Sequence, residues 1–355
     1  MEENNRNQEP QNEQNAPDEK KTKVRVYFEG IQSPTWEHPA DKVALKALQS
    51  VPGLDVVIKN FFATTGERSM RLMALASSLR VTDKQFGRVH ELHQEACKVL
   101  DLPEVPELFV AQNPVMNAGA VGMDHPFVII NSSMVEALDD DELLFVIGHE
   151  LGHIKSNHML YRTLLVFLMM VSQMSMRIPL GQMALWAVVA ALKEWSRKSE
   201  LSTDRAGLLT VQDPEVAIRL LMKMAGGKLV DEMDLGEFMK QAEEYNESGD
   251  AVDNLYKITN LVNQTHPFAV IRVYELMNWV RSGNYDSILR GFYSNEETPL
   301  SDDMKEAAES YKQGFAQAMK PLKGMLEEMQ DTAKKNTGRS PWDIFDDLTG
   351  RGKDR

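Results

Sequence analysis

Two histidines four residues apart, His149 and His153, flank a glutamate in the run Phe145-Val146-Ile147-Gly148-His149-Glu150-Leu151-Gly152-His153-Ile154. On a helix, residues i and i+4 leave the same face, so both imidazoles can reach one metal ion. A catalytic zinc held by two such histidines needs a third protein ligand and keeps a fourth position for water, which Glu150 can reach as a base. The chemistry is hydrolysis by an activated water, and the pattern predicts a zinc-dependent peptidase. A purely structural role would bury two imidazoles and a carboxylate beside Leu143-Leu144-Phe145-Val146-Ile147 without partners, which is costly.

The third ligand must come from elsewhere. The extended pattern H-E-x-x-H-x-x-G-x-x-H fails, because Ser156 stands at its glycine and Met159 at its last histidine. His158 falls one residue early, and five residues past His153 a continuing helix would turn it to another face. It therefore reads as a solvated or hydrogen-bonded histidine. Glu200 is the better candidate, on a second helix with apolar neighbours. Asp204, one turn on, could accept a hydrogen bond from the far nitrogen of a ligand histidine, best matched to His149. A second cluster, His90, His93 and Cys97, also shares one helical face, but Val89, Leu92, Ala96, Val99 and Leu100 run beside it as a core stripe. Cys97 reads as a small core residue.

The elements that must position these residues follow in order. Val24–Phe28 resembles a short strand. Helices are expected over Asp41–Leu48, Leu54–Phe62 and Arg68–Leu79, then from Lys84 to Leu100 with Thr82-Asp83 as its cap. Leu108–Val110 and Phe127–Ile130 read as strands, with Asn113–Ala120 a loop or edge segment between them. Ser132 or Ser133 can cap a short helix, and Asp139–Glu142 form an acidic start for the H-E-x-x-H helix. Two apolar stretches, Leu164–Met176 and Ile178–Leu192, are parted by Arg177. Each is shorter than the roughly 20 residues of a spanning helix. They read as buried helices, with a membrane-dipping hairpin as the alternative. Further helices are expected over Glu194–Ala206, from Pro214 to Gly226-Gly227, over Asp231–Tyr245, Asp253–Asn263 and Phe268–Arg281. A seam from Met304 to Met329, kinked at Pro321, has coiled-coil-like spacing and could dock on the body or on a second copy. Trp342, Ile344, Phe345 and Leu348 near the end suit either a docking segment or a frayed tail.

The chain has 355 residues and a formal net charge of -14, with no local basic patch, which excludes nucleic acid as a partner. One cysteine, Cys97, permits no internal disulfide and fits a reducing compartment. Met1–Lys21 is polar and lacks an apolar core, so it reads as a disordered tail rather than a secretory leader.

These pieces together resemble the zinc metallopeptidases that include the HtpX heat-shock protease and the CaaX prenyl proteases, of gluzincin type. The likeness runs from His38-Pro39 to about Arg290 and is nearest to soluble or loosely membrane-linked bacterial members described as proteases with chaperone function. It rests on Asn117-Ala118, the strand through Ile130, Asp141-Glu142-Leu143, His149–His153, Glu200–Asp204, and Thr265-His266-Pro267 with Arg272. The resemblance implies one zinc per chain on His149, His153 and Glu200, with Glu150 as general base. Asp204 and Arg272 stand behind the ligands. His266 lies near the zinc as oxyanion stabiliser, and Asn117, Ala118 and Gly119 form a strand that pairs with substrate backbone. Membrane members carry two full spans between the zinc motifs; here the stretches are short and interrupted.

The resulting expectation is an α+β, mostly helical zincin-like fold with a small sheet beside the H-E-x-x-H helix. Residues 1–23 form a tail, 24–295 the body (catalytic core about 101–295), 296–335 an amphipathic helix and 336–355 a flexible acidic tail. The function expected is zinc endopeptidase action on peptides or unfolded proteins in quality control, in the cytoplasm. Peripheral or integral attachment to the cytoplasmic membrane through 160–192 is the alternative location. A non-catalytic, chaperone-like zinc protein is the alternative function, and homo-oligomers could form through the C-terminal helix.

Overall fold

In the computed structural model the described residues are 24–49, 66–174, 179–247 and 268–296, with the single helical positions Asp302, Lys305, Glu309 and Gln313. The helices expected over Leu54–Phe62 and Asp253–Asn263, the segment Thr265-His266-Pro267, the polar N-terminal tail, the end of the chain and most of the C-terminal seam lie outside them.

A four-stranded sheet carries the middle of the chain, in the order β1 (Ser78–Arg80), β2 (Glu107–Ala111), β4 (Phe127–Asn131), β3 (Ala118–Val121). β2 and β4 are parallel, with Phe109 opposite Ile129; the outer pairs are antiparallel. β4 is an unbroken apolar run and lies inside the sheet, as buried strands do. Its neighbour β3 is left as an edge. The chain is otherwise helical among the described residues: α1 Pro39–Gln49, α2 Gly66–Ser77, α3 Gly87–Val99, α4 Ser132–Ala137, α5 Asp140–Lys155, α6 Met159–Met174, α7 Pro179–Val211, α8 Pro214–Gly226, α9 Leu235–Glu247, α10 Ala269–Arg281 and α11 Asn284–Leu289. The expected mostly helical α+β fold with a small sheet is what forms.

The H-E-x-x-H helix is α5, buried without a break from Glu142 to His153. Its start is a capping box: Asp139 accepts from Glu142 N, and the Glu142 side chain accepts from Asp139 N. Glu142 is fully buried, and α8 supplies its counter-charges, Arg219 Nε at 2.9 Å and Lys223 Nζ at 2.6 Å. Across the core α5 lies against α7 at near backbone contact. A Cβ added at Gly152 would stand 2.6 Å from Ala206 Cβ, and one at Gly148 would overlap Thr210. Gly207, on α7, faces Phe145 in the same way, with a built Cβ 2.9 Å from its ring and from its carbonyl oxygen.

Of the apolar region, residues 160–174 belong to α6 and 179–192 to the first part of α7, and the two helices pack on each other. Tyr161, Leu164, Leu165, Leu168, Val189 and Leu192 are all buried. Among the described residues no helix is long and apolar enough to cross a membrane.

Several boundaries differ from expectation. Val24–Phe28 forms no strand of the sheet; the Gln212 side-chain amide brackets Val26, accepting from its N–H and donating to its carbonyl. Leu79 belongs to β1 rather than to α2. Thr82 does not cap a helix: it pairs with Gln85 in a tight turn, and α3 starts only after Phe86. Asp231 lies in a short 3-10 turn over Val230–Glu232, and α9 begins four residues later than expected. The differences follow the hydrogen bonds that form: a distant side-chain amide at Val26, the β1–β2 ladder at Leu79, and local turns at Thr82 and Asp231.

The closeness of α5 and α7 gives a direct prediction. Gly152→Ala should lower unfolding stability by about 1–3 kcal/mol through overpacking. Ala206→Gly in the same chain should recover at least half of that loss, as read from denaturant midpoints in a double-mutant cycle. Additive losses would show that the two positions do not press on each other.

Candidate metal centre

The close approach of α5 and α7 sets His149 and His153 against Glu200, with donor atoms from all three within 4.8 Å of one another and all three residues buried. Among the described residues this is the one group of metal-ligand type. His149 Nε2 lies 3.1 Å from Glu200 Oε2, and His153 Nε2 lies 3.2 Å from Glu200 Oε1. Thr203, one turn beyond Glu200, places its hydroxyl 3.2 Å from His149 Nε2 and 3.3 Å from His153 Nε2. Two imidazoles and one carboxylate form a donor set suited to zinc and other divalent metals. The cradle also attracts a cation within the chain: Arg162 Nη1 stands against His153 Nε2 and 2.9 Å from Glu200 Oε1.

The far nitrogens of both histidines are engaged, so each Nε2 turns toward the common point. His149 Nδ1 lies 3.0 Å from Asp204 Oδ1, and Arg272 on α10 grips Asp204 with Nε at 2.8 Å and Nη2 at 2.5 Å. Burial alone would raise the Asp204 carboxyl, but Arg272 and then His149 hold it below the usual carboxylate range. Burial would likewise depress His149, yet Asp204 and Glu200 outweigh it and carry its pKa up to about 9. His153 goes the other way. Burial and the Arg162 guanidinium push it well below the ordinary value, which keeps it neutral with a lone pair available.

Glu150, between the two histidines, is 3% exposed and turned toward the sheet. An edge strand has N–H groups with no ladder partner. That of Ala120 donates to Glu150 Oε2 at 2.8 Å. A cleft beside the cradle is lined by Asn117, Ala118, His149, Glu150, Glu200 and Arg272, among others. Ala118 and Gly119 lie in β3, while Asn117 just precedes it and accepts from Asn131 N at 3.0 Å. The β3–β4 turn is clamped: Glu67 accepts the N–H groups of Met123, Asp124 and His125, and Thr163 donates to Gly122 O. His266 lies outside the described residues.

Two residues stand at the site in places the sequence does not give them. His158, expected to be solvated or hydrogen-bonded on another face, is hydrogen-bonded, but it is fully buried and on the same side as His153. α5 ends at Lys155, Asn157 takes a left-handed φ of 56°, and the chain folds back so that His158 N donates to His153 O. The His158 ring then meets His153, Nδ1 to Nδ1, at 3.0 Å. Asn just past a helix end is the available signal for such a reversal. Arg162 is legible only as a lone charge in an otherwise apolar stretch. The His90, His93, Cys97 face forms no cluster: His93 and Cys97 pack in the core, and burial pushes the Cys97 thiol up to about 12.

The Asp204–Arg272 pair yields a stability prediction. Arg272→Met should cost about 3–5 kcal/mol, because it leaves a buried carboxylate without its cation. Arg272→Lys should recover only part, since one ammonium cannot reproduce the two-pronged contact. Chemical unfolding of metal-free protein measures both, and an Arg272→Met chain as stable as the parent would contradict the pairing.

Comparison with known proteins agrees with this geometry. The model of Peptidase family M48 matches residues 83–280. The plastoglobule-localized metallopeptidase 48 of Arabidopsis thaliana is 34% identical over 271 residues, covering 75% of this chain and 78% of the relative. A protease HtpX homolog of Helicobacter pylori is 27% identical over 170 residues, 41% of this chain and 55% of that protein. One from Sulfurihydrogenibium is 36% identical over 103 residues, 28% and 34% of the two chains. The chain thus spans between a third and just over half the length of these HtpX homologs. No solved structure gives a significant match. The family match extends over both α5 and α7, so the two helices that bring His149, His153 and Glu200 together fall within it, and the chain belongs to peptidase family M48 as a metallopeptidase.

Proposed function

We propose that this metallopeptidase is a zinc endopeptidase with one zinc per chain, held by His149, His153 and Glu200. The observation that carries the proposal is the coincidence at one point of three metal-ligand side chains, a carboxylate of base type and the edge of a sheet. Bound in this cradle, zinc would act as a Lewis acid that polarises a peptide carbonyl and makes water acidic near neutral pH. The remaining steps fall to the chain's own groups. The Ala120 N–H fixes Glu150 Oε2, so Oε1 is the atom that takes the proton from water and returns it to the leaving amine. Asp204 holds the proton on His149 Nδ1 and so presents Nε2 as a ligand. His266 is proposed to face the developing oxyanion.

Substrate is proposed to bind as an added strand along β3, with Asn117, Ala118 and Gly119 contacting its backbone. An edge strand recognises main chain at any register rather than a chain end, which supports internal cleavage of peptides and unfolded segments. Such substrates fit a quality-control role in the cytoplasm, with peripheral membrane contact through 160–192 as the alternative.

Two substitutions test the assignment. Glu150→Gln should keep one zinc per chain and lose about 10²–10⁴-fold in kcat on a fluorogenic peptide, the range expected for loss of a general base. Glu200→Gln should lower zinc occupancy in metal analysis of dialysed protein. Normal turnover by the first, or full zinc in the second, would overturn the corresponding role.

A further inference from the structure

His149 has a buried partner of known type behind it. The second histidine has one too, His158, and the carboxylate behind that ring comes from outside the matched peptidase region. His153 Nδ1 meets His158 Nδ1 at 3.0 Å, and His158 Nε2 lies 3.1 Å from Asp41 Oδ2, a close approach short of an aligned hydrogen bond. Asp41 stands on α1, which packs on α7 and precedes residue 83, where the family match begins. His153, His158 and Asp41 are each 0% exposed. The carboxylate of Asp41 is itself held: Oδ2 accepts from Ser202 Oγ at 2.6 Å and Oδ1 from Trp195 Nε1 at 3.2 Å. The His158 ring is fixed edge-on between His153, with centroids 5.3 Å apart, and Trp195, at 5.6 Å.

We propose that His158 and Asp41 are positioning residues for the metal site, a second outer support that orients His153 as Asp204 orients His149. This rests on the metal-site proposal above. Proton counting gives the arrangement. Two Nδ1 atoms at 3.0 Å need one proton between them. A metal on His153 Nε2 leaves the ring proton of His153 on Nδ1, so Nδ1 of His153 donates and Nδ1 of His158 accepts. The His158 proton then sits on Nε2, the atom facing Asp41. Only this set of tautomers satisfies both contacts and leaves the His153 lone pair directed at the cradle. At Asn157 the helix stops and the chain reverses, which returns the His158 ring to the side of His153.

The test uses the full chain and zinc itself. Zinc dissociation constants are measured by competition with a chromophoric chelator, alongside the visible spectrum of the cobalt-substituted protein and melting in chelator. His158→Phe keeps the ring but removes the accepting nitrogen; it should weaken zinc binding about 10–100-fold, the usual cost of losing an outer partner, and alter the cobalt spectrum. His158→Gln, whose amide oxygen can accept from His153 Nδ1, should recover most of the affinity. Asp41→Asn should weaken binding in the same direction as His158→Phe. Unchanged affinity and spectrum in His158→Phe, or equal losses in the Phe and Gln variants, would overturn the proposal, the latter by pointing to packing. Should His158→Phe fail to fold, the other two variants decide: Asp41→Asn binding zinc like the parent overturns it. Absence of zinc binding by the parent chain would defeat the metal-site proposal and this one with it, whereas loss in Glu200→Gln without loss in His158→Phe or Asp41→Asn defeats this one alone.

Discussion

The contact on which the site depends is the near backbone approach of α5 to α7. Metal donors on two different helices must come within a few ångströms of one point, and side chains of histidine and glutamate have a fixed reach. Gly148 and Gly152 on one helix, with Ala206 and Gly207 on the other, remove the side-chain volume that would hold the helices apart. Each glycine on α5 immediately precedes a histidine of the cradle, so the position that permits the approach and the position that uses it are adjacent. Small residues lost here would act on the chemistry through geometry, without touching any reacting atom.

That closeness has an electrostatic consequence. Glu200, Asp204, His149, His153 and Glu142 are all taken out of water. Buried charges persist only when paired. The fold answers with counter-charges from separate elements: Arg272 from α10 for Asp204, and Arg219 with Lys223 from α8 for Glu142. The cradle of His149, His153 and Glu200 draws in Arg162 from α6. The helices after α7 thus serve less as a wall around the cleft than as a source of cations for a buried polar seam. Glu150 is separate from this seam: its oxygen is tied to the edge of the sheet, which couples the proposed base to the strand on which substrate is proposed to lie.

Much of this was legible in sequence, for identifiable reasons. The i, i+4 histidines, the apolar run before them and the acidic cap all express helix periodicity and capping, which are local. Glu200 with Asp204 could be placed on a second helix by the same logic, and β4 by its unbroken apolar run. What could not be read depended on chain reversals and on contacts distant in sequence. His158 looked irrelevant because a helix was assumed to continue through it; a single left-handed residue, Asn157, changes that. Asp41 lies 117 residues from His158 by numbering (158 − 41) and carries no pattern linking the two. Val24–Phe28 had strand-forming residues, yet one glutamine side chain, Gln212, takes the hydrogen bonds that a strand partner would have taken.

The central claim is that one zinc sits between α5 and α7. An anomalous difference map at the zinc absorption edge, from crystals of zinc-loaded full chain, tests it most directly. The account predicts a single strong peak per chain, within bonding distance of His149 Nε2, His153 Nε2 and a Glu200 carboxylate oxygen, with Arg162 displaced from the cradle. A peak ligated by His158 in place of Glu200, or no peak between the two helices, would contradict it.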